Sequence, residues 1–272
     1  MIYGKVIKVS TSYFIFQLIY LMIKKIEQAV ILAGGKGKRL RPLTEKIPKP
    51  LVKINGIPFC DYLLNSLVKA GIKKILFLIG YKGNLIKDRY INLNGLKTTF
   101  SFSHEDADTG KRIIEAYDML DDNFLLIYAD NYWPIQLDSM INNLNKKKAF
   151  ISTTVFNNND GTGEYGYENN VQVDSEGFVK KYDKTRKSGG LNGIDIGYFV
   201  INKKLLDKTS KENLSFENDM LSKFIEKKNL VAYITNDQYY YITNMKCVKK
   251  FENFISLKKQ KSLPSSYFIS TA

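Results

Sequence analysis

The 272-residue chain is 44% hydrophobic and 25% charged, a balance that excludes a disordered or fibrous chain and suffices for one α/β core. Its 41 Lys and Arg against 27 Asp and Glu give a net charge of +14, but the lysines are scattered without interleaved aromatics. This argues against nucleic acid as partner and leaves compositional bias, with anionic substrates, as the source of the excess.

The amino-terminal stretch Val6 to Ile23 is largely apolar, but Lys8, Ser10, Thr11, Ser12 and Gln17 interrupt it. A membrane span needs about 20 mostly apolar residues, and a signal peptide needs a small-residue cleavage site. Neither is met, so residues 1–23 are read as an extension with no stable membrane insertion. The main domain is placed at residues 24–258, and a polar tail at 259–272.

Ala29 to Ala33 reads as a buried strand that empties into Gly34, Gly35 and Gly37, ringed by Lys36, Lys38, Arg39 and Arg41. Glycines let the backbone bring N–H groups close to a ligand, and such a cradle among cations suits phosphate. It is not a P-loop, because Arg39 follows Gly37-Lys38 where a magnesium-binding Ser or Thr is needed. Nor is it the dinucleotide fingerprint, because Leu40 stands where the third glycine belongs and Pro42 bars a straight helix.

Pro58 to Ala70 has the spacing of an amphipathic helix, with proline at its start and Gly71 past its end. Ile75 to Ile79 reads as a strand, Leu85 to Tyr90 as a helix and Thr99 to Ser103 as a strand. Thr109-Gly110 opens a helix through Leu120, and the strand Phe124 to Tyr128 ends at Ala129-Asp130. Alternating strands and helices predict a mostly parallel sheet covered on both faces. Further on, Phe150 to Phe156 is a strand. Val171 to Val173 and Phe178 to Tyr182 form a hairpin, and Ile194 to Ile201 is another apolar strand. A helix over Asn218 to Lys228, a strand over Val231 to Ile234 and a helix over Lys246 to Leu257 complete the domain. The fold class is therefore α/β, a Rossmann-like three-layer αβα arrangement with a mixed, mostly parallel sheet. Cys60 and Cys247 lie far apart within apparent helices, as buried thiols of a reducing, cytoplasmic compartment. The single histidine, His104, excludes any mechanism that needs a histidine pair.

Ligands of open parallel sheets sit beyond the carboxyl ends of the strands. The glycine loop, Thr109-Gly110 and Asp130 all fall there. An acid at a strand end facing a phosphate cradle is where Mg²⁺ would bridge carboxylate and phosphates, and this is the favoured reading of Asp130 over a cap of the turn before Asn131 and Pro134.

The run Leu32, Gly34, Gly35, Gly37, Arg39, Leu40, Pro42, Leu43, Thr44, then Pro48-Lys49-Pro50, closely resembles the signature of the sugar-1-phosphate nucleotidyltransferases. The resemblance implies the nucleotide-diphospho-sugar transferase fold and transfer of a nucleoside monophosphate from a triphosphate to a sugar 1-phosphate, with release of pyrophosphate. It implies that Leu32, Gly34, Gly35, Gly37, Lys38, Arg39, Thr109 and Gly110 bind nucleotide. Arg39, Lys49, Asp130 and Lys184 would be catalytic, with Asp130 holding Mg²⁺. Gly166 of Tyr165-Gly166, Asp183-Lys184 after the hairpin, and Asp195 would face the sugar phosphate, Asp195 having a turn-capping alternative. Members usually begin near Met22, so translation is expected to start there. Two departures stand out. Lys111 replaces the second glycine of a Thr-Gly-Gly turn, and Tyr241 stands where a second metal-binding acid belongs, with Asn244, Asp237 or Asp195 as substitutes.

Guanylyl transfer to a heptose or mannose 1-phosphate, for surface-glycan precursors such as capsule or lipopolysaccharide, is the leading expectation. Cytidylyl transfer to a non-sugar phosphate such as phosphocholine is one alternative. A non-catalytic nucleotide-sugar-binding regulatory protein is another, and a homodimer is one oligomeric option.

Overall fold

The computed structural model describes Ile23 and residues 25–261. The expected extension before Ile23, with its start at Met22, and the tail beyond residue 261 lie outside the described residues.

Seven strands form the central sheet: β1 (Gln28–Leu32), β2 (Lys74–Ile79), β3 (Lys97–Phe102), β4 (Asn123–Tyr128), β6 (Ile151–Phe156), β9 (Ile194–Asn202) and β10 (Leu230–Thr235). Their order across the sheet is β10-β6-β9-β4-β1-β2-β3. All neighbours run parallel except β9, which is antiparallel to both β4 and β6. A mixed, mostly parallel sheet is thus present. Among the described residues three short ribbons stand outside it: the hairpin of β7 (Val171–Val173) with β8 (Val179–Tyr182), β5 (Asn131–Tyr132) paired with β11 (Tyr240–Tyr241), and Lys53–Ile54 paired with Ile57–Pro58.

Period-2 alternation divides the core. Ala29, Ile31, Phe77, Leu125 and Ile127 pack beneath α1 (Phe59–Lys69), α4 (Leu137–Lys147) and α6 (Met245–Lys261). Val30, Leu32, Leu76, Leu78 and Leu126 face α3 (Thr109–Glu115) and α5 (Leu221–Glu226). These strands are buried on both sides, which is why they read as unbroken apolar runs. A further helix, α2 (Gly83–Tyr90), adds Ile86 and Tyr90 to the first face, with Tyr90 stacked on Phe77.

The expected elements stand within a few residues of their places, the last helix reaching three residues into the segment expected as tail. Helix α4 was not among them. Its sequence is rich in asparagine and lysine, and only Leu137, Met140, Ile141 and Leu144 form its buried stripe. That spacing of i, i+3, i+4 and i+7 is the helical signal. Cys60 and Cys247 are free thiols, one buried and one half-buried, each in a helix as expected.

Topology places the site. From β1 the chain builds outward through β2 to β3, then returns to lay β4 on the other side of β1. The loops leaving β1 and β4 therefore diverge, and a crevice opens between them at the carboxyl edge.

Candidate active site

A cleft of about 440 Å³ occupies that crevice. Leu32, Gly34, Gly35, Gly37, Lys38, Arg39, Lys49, Thr109, Asp130 and Lys184, all singled out from the sequence, line it. The amide of Ala129 donates to the carbonyl of Leu32 at 3.1 Å, so the end of β4 is stitched to the mouth of the glycine loop.

Gly37 has φ +60°, in the left-handed region, and its carbonyl accepts from the Thr44 hydroxyl at 2.9 Å and from the Leu40 amide at 2.9 Å. The loop thus folds back on the Leu43-Thr44 turn, which accounts for the Pro-Leu-Thr run after it.

Gly34 answers to a different constraint. A Cβ there would lie 2.5 Å from the guanidinium carbon of Arg112, and one on Gly80 would lie 2.4 Å from Arg112 Nη1. Arg112 is 3% exposed. It donates to the carbonyls of Ile79 (3.2 Å), Gly34 (3.4 Å), His104 (3.1 Å) and Glu105 (3.2 Å). Among the described residues no carboxylate pairs with it, and burial pulls its pKa down. A buried cation is costly unless hydrogen-bonded. Here backbone carbonyls from three segments hold it beneath the glycine loop, where it lines the cleft. The sequence reading missed Arg112, which looks like one more surface arginine at the start of a helix. The adjoining Lys111 donates its ammonium to Lys211 O at 2.9 Å and its amide to Leu214 O at 3.0 Å, and does not line the cleft.

Thr109 opens α3 behind Asp108, whose carboxylate accepts the Thr109 amide at 2.7 Å as an N-cap. The Thr109 hydroxyl bonds Glu217 at 2.8 Å and accepts from the Phe216 amide at 2.8 Å. Gly110 does not line the cleft. A Cβ there would meet Leu214 O and Met220 Sδ at 2.8 Å, so it allows α3 to pack on the 214–220 segment.

Lys49 Nζ lies 2.6 Å from Asp130 Oδ2, with side chains 13% and 32% exposed. Both are carried on short, well-anchored turns: Lys49 on a 3₁₀ turn at Pro48-Lys49-Pro50 and Asp130 between β4 and β5. The Asp130 carbonyl accepts from the Ile242 amide at 3.0 Å, and β11 pairs Tyr241 with Asn131. The carboxyl end of the chain is thereby brought back to the first acid. Among the described residues no cluster of three or more metal-ligating side chains occurs. A donor set of one or two carboxylates completed by water and phosphate suits Mg²⁺ rather than a caged transition metal.

Tyr241 is buried, with its phenol toward the Gly163 carbonyl at 3.5 Å, and burial pushes its pKa up. Two of its expected substitutes are engaged elsewhere. Asn244 accepts from the Cys247 amide at 3.1 Å as the cap of α6, and Asp237 bonds Gln136.

On the acceptor side the arrangement differs from expectation. Lys184 lines the cleft, and its ammonium has no partner among the described residues. Asp183 does not line it. Its carboxylate accepts from Thr185 N (2.8 Å) and Oγ1 (2.6 Å), Lys187 N (3.1 Å) and Ser188 N (2.8 Å). Those donors hold its pKa well below the carboxylate range, and its acceptor capacity is spent on shaping the loop that presents Lys184. Gly166 is exposed, with φ +64°, and serves the turn of the 158–168 loop, its carbonyl held by Asn158 at 2.8 Å. Asp195 stays under the strands. Its Oδ1 accepts from the Thr153 hydroxyl (2.7 Å) and the Gly197 amide (3.0 Å), pinning a bulge in β9. Burial raises its pKa to about 6. Turn capping, the alternative reading, is its role in this structure.

Arg39 spans the two walls. Its Nη1 lies 3.0 Å from the Tyr165 hydroxyl and 3.8 Å from Glu164 Oε1, with the side chain 65% exposed. Arg186 stacks over the other side of Tyr165 at 4.4 Å.

Comparison with known proteins agrees with this geometry. A D-glycero-alpha-D-manno-heptose 1-phosphate guanylyltransferase of Campylobacter jejuni is 30% identical over 216 residues, 78% of this chain and 92% of its own. A probable glucose-1-phosphate cytidylyltransferase of Bacillus subtilis is 30% identical over 231 residues, 76% of this chain and 87% of its own. The crystal structure of HddC from Yersinia pseudotuberculosis superposes with a TM-score of 0.72 at 26% identity, covering 85% of this chain and 100% of that one. The nucleotidyl transferase family model matches residues 28–243. It begins at β1 and ends at Thr243, the span over which the chain builds its cleft. The chain is an enzyme of the nucleotidyl transferase family.

Proposed function

We propose that the chain transfers a nucleoside monophosphate from a nucleoside triphosphate to a sugar 1-phosphate, releasing pyrophosphate. The observation that carries this reading is the convergence on one cleft of the glycine cradle, the Lys49–Asp130 pair and Lys184, which has no partner among the described residues. A phosphate oxygen of the acceptor attacks the α-phosphorus, the bond to the β-phosphate oxygen breaks, and pyrophosphate carries away the electron pair. No protein nucleophile is needed. Bringing two polyanions together needs neutralisation and alignment.

The N–H groups of the 34–37 loop and the planar fork of Arg39 take the triphosphate. Arg112 below the loop adds a fixed positive charge. Lys49 serves the α-phosphate or the incoming acceptor phosphate, and Lys184 holds the acceptor phosphate from the opposite wall. Asp130 would hold Mg²⁺, which supplies charge neutralisation on the triphosphate when bound.

The named relatives support a sugar 1-phosphate over phosphocholine as acceptor, since one acts on a heptose 1-phosphate and the other on glucose 1-phosphate. GTP and CTP are the leading donors for the same reason, and an activated sugar for capsule or lipopolysaccharide suits the product. Among the described residues no helix is long and apolar enough to cross a membrane. Free thiols and small phosphorylated substrates suit the cytoplasm.

The test is magnesium-dependent pyrophosphate release with a panel of triphosphates against sugar 1-phosphates and phosphocholine. Release is expected only when a triphosphate and a sugar 1-phosphate are both present. Turnover with phosphocholine alone would establish the non-sugar alternative, and nucleotide binding without any turnover would establish a sensor.

A further inference from the structure

Tyr241 cannot act as the second acid of the site, and the described geometry accounts for each candidate substitute. Asn244 is a helix cap, Asp237 is tied to Gln136, and Asp195 is bonded within the sheet to Thr153 and Gly197. Among the described residues two carboxylates besides Asp130 line the cleft, but Glu105 pairs with Lys36 at 3.2 Å and Asp108 caps α3. Glu164, which does not itself line it, adjoins the wall that carries Asp130. Glu164 Oε1 accepts from the Thr243 hydroxyl at 2.7 Å, and Thr243 lines the cleft beside Asp130. The connection is short, because the residue before Thr243 donates its amide to the Asp130 carbonyl.

We propose that Glu164, from the loop before Tyr165-Gly166, supplies to the divalent ion the second carboxylate that Tyr241 does not. This rests on the reading of Asp130 as the first ligand. The local fold places Glu164 deliberately. Its amide donates to the Tyr239 hydroxyl at 3.0 Å, and Gly163 before it donates to Asn158 Oδ1 at 2.9 Å. Gly163 itself has no room for a side chain, since a Cβ would lie 2.2 Å from Ile194 Cδ1. With Asn158 also donating to the Gly166 carbonyl, the loop is anchored on both sides of the glutamate, which is 19% exposed. Charge argues the same way. Asp130 is neutralised at 2.6 Å by Lys49, whereas the nearest cation to Glu164 is Arg39, at 3.8 Å and largely in solvent. Arg39 is also the residue that triphosphate would draw away. A carboxylate left beside a polyphosphate site is unfavourable unless a cation comes between them. Ligand transfer from β11 to the neighbouring loop would thus keep two acids at the site while Tyr241 becomes core.

The test measures ion binding rather than turnover. Mn²⁺ would be titrated into the full chain in the presence of a non-hydrolysable GTP analogue and, in parallel, a CTP analogue, with bound ion followed by electron paramagnetic resonance. Glu164→Gln keeps the acceptor for Thr243 and removes only the charge. It is expected to weaken Mn²⁺ binding to the complex roughly tenfold or more, while metal-free affinity for the analogue is unchanged. A Glu164→Gln curve that superposes on the wild type overturns the proposal. Asp130→Asn is measured alongside. If it binds Mn²⁺ as the wild type does, the reading of Asp130 fails, and the two failures are told apart.

Discussion

Lys49 and Asp130, 81 positions apart in the chain, meet at 2.6 Å in the cleft. Each thereby offsets the cost of holding the other's charge in a half-buried position. On the proposed function, phosphates entering the cleft would give Lys49 an anion to turn to and free Asp130 to face a cation, so the pair would store the site's two charges in neutral form. Asp130→Asn and Arg39→Ala are expected to lower turnover at least about 10³-fold, with the far-ultraviolet circular dichroism spectrum unchanged. Near wild-type rates in either variant would refute the assignment.

Arg112 makes a prediction about stability. Arg112→Met removes the donors to four carbonyls in a buried position, and roughly 2–4 kcal/mol of unfolding free energy should be lost. Gly34→Ala should also destabilise, because the new methyl meets the guanidinium. Denaturant titration measures both. The double variant Gly34→Ala with Arg112→Met should be less destabilised than the two losses added, since the methyl then has no guanidinium to meet.

Asp195 makes one about pH. Its folded pKa of about 6 lies above the unfolded value, so its neutral form is the stabilising one. That contribution is complete below about pH 4 and is lost as pH rises through 6. Asp195→Asn keeps an oxygen for Thr153 and Gly197 and removes the titration. Relative to the wild type it should gain stability between pH 4 and 6, reaching up to about 3 kcal/mol at pH 7. Thermal unfolding across that range checks the sign; a difference independent of pH would refute it.

For Asp183 the expected effect lies in the acceptor. Asp183→Ala releases the 183–188 loop that carries Lys184. KM for the sugar phosphate should rise roughly tenfold while KM for the triphosphate stays the same. A variant in which both constants rise together would show instead that the loop serves the whole cleft.

The cradle and its acid were legible because they obey local rules. Glycines after an apolar run, and an acid where such a run ends, carry their meaning within a few residues. Arg112 carried no such mark. Its significance lies in Gly34, Gly80 and the carbonyls of Ile79 and His104, and a buried arginine in a chain of net charge +14 is indistinguishable from the exposed ones. Asp183 illustrates the opposite failure. Motif position assigned it to the substrate, but the Thr185, Lys187 and Ser188 amides that claim its oxygens are visible only once the loop is folded. Helix α4 was hidden by its own polarity, four apolar residues sufficing where one face alone is buried.

The ribbon that pairs Tyr240 with Tyr132 and Tyr241 with Asn131 bears on how the protein is born. Strands β1 to β4 can pair as they leave the ribosome, and the glycine loop can form with them. Asp130 gains its last backbone anchor only when Ile242, 112 residues later, donates its amide. During synthesis the chain would thus pass through a stage in which the glycine loop is formed but the turn carrying Asp130 lacks its anchor from β11, and on the proposed function competence for chemistry would arrive with nearly the last residues of the matched domain.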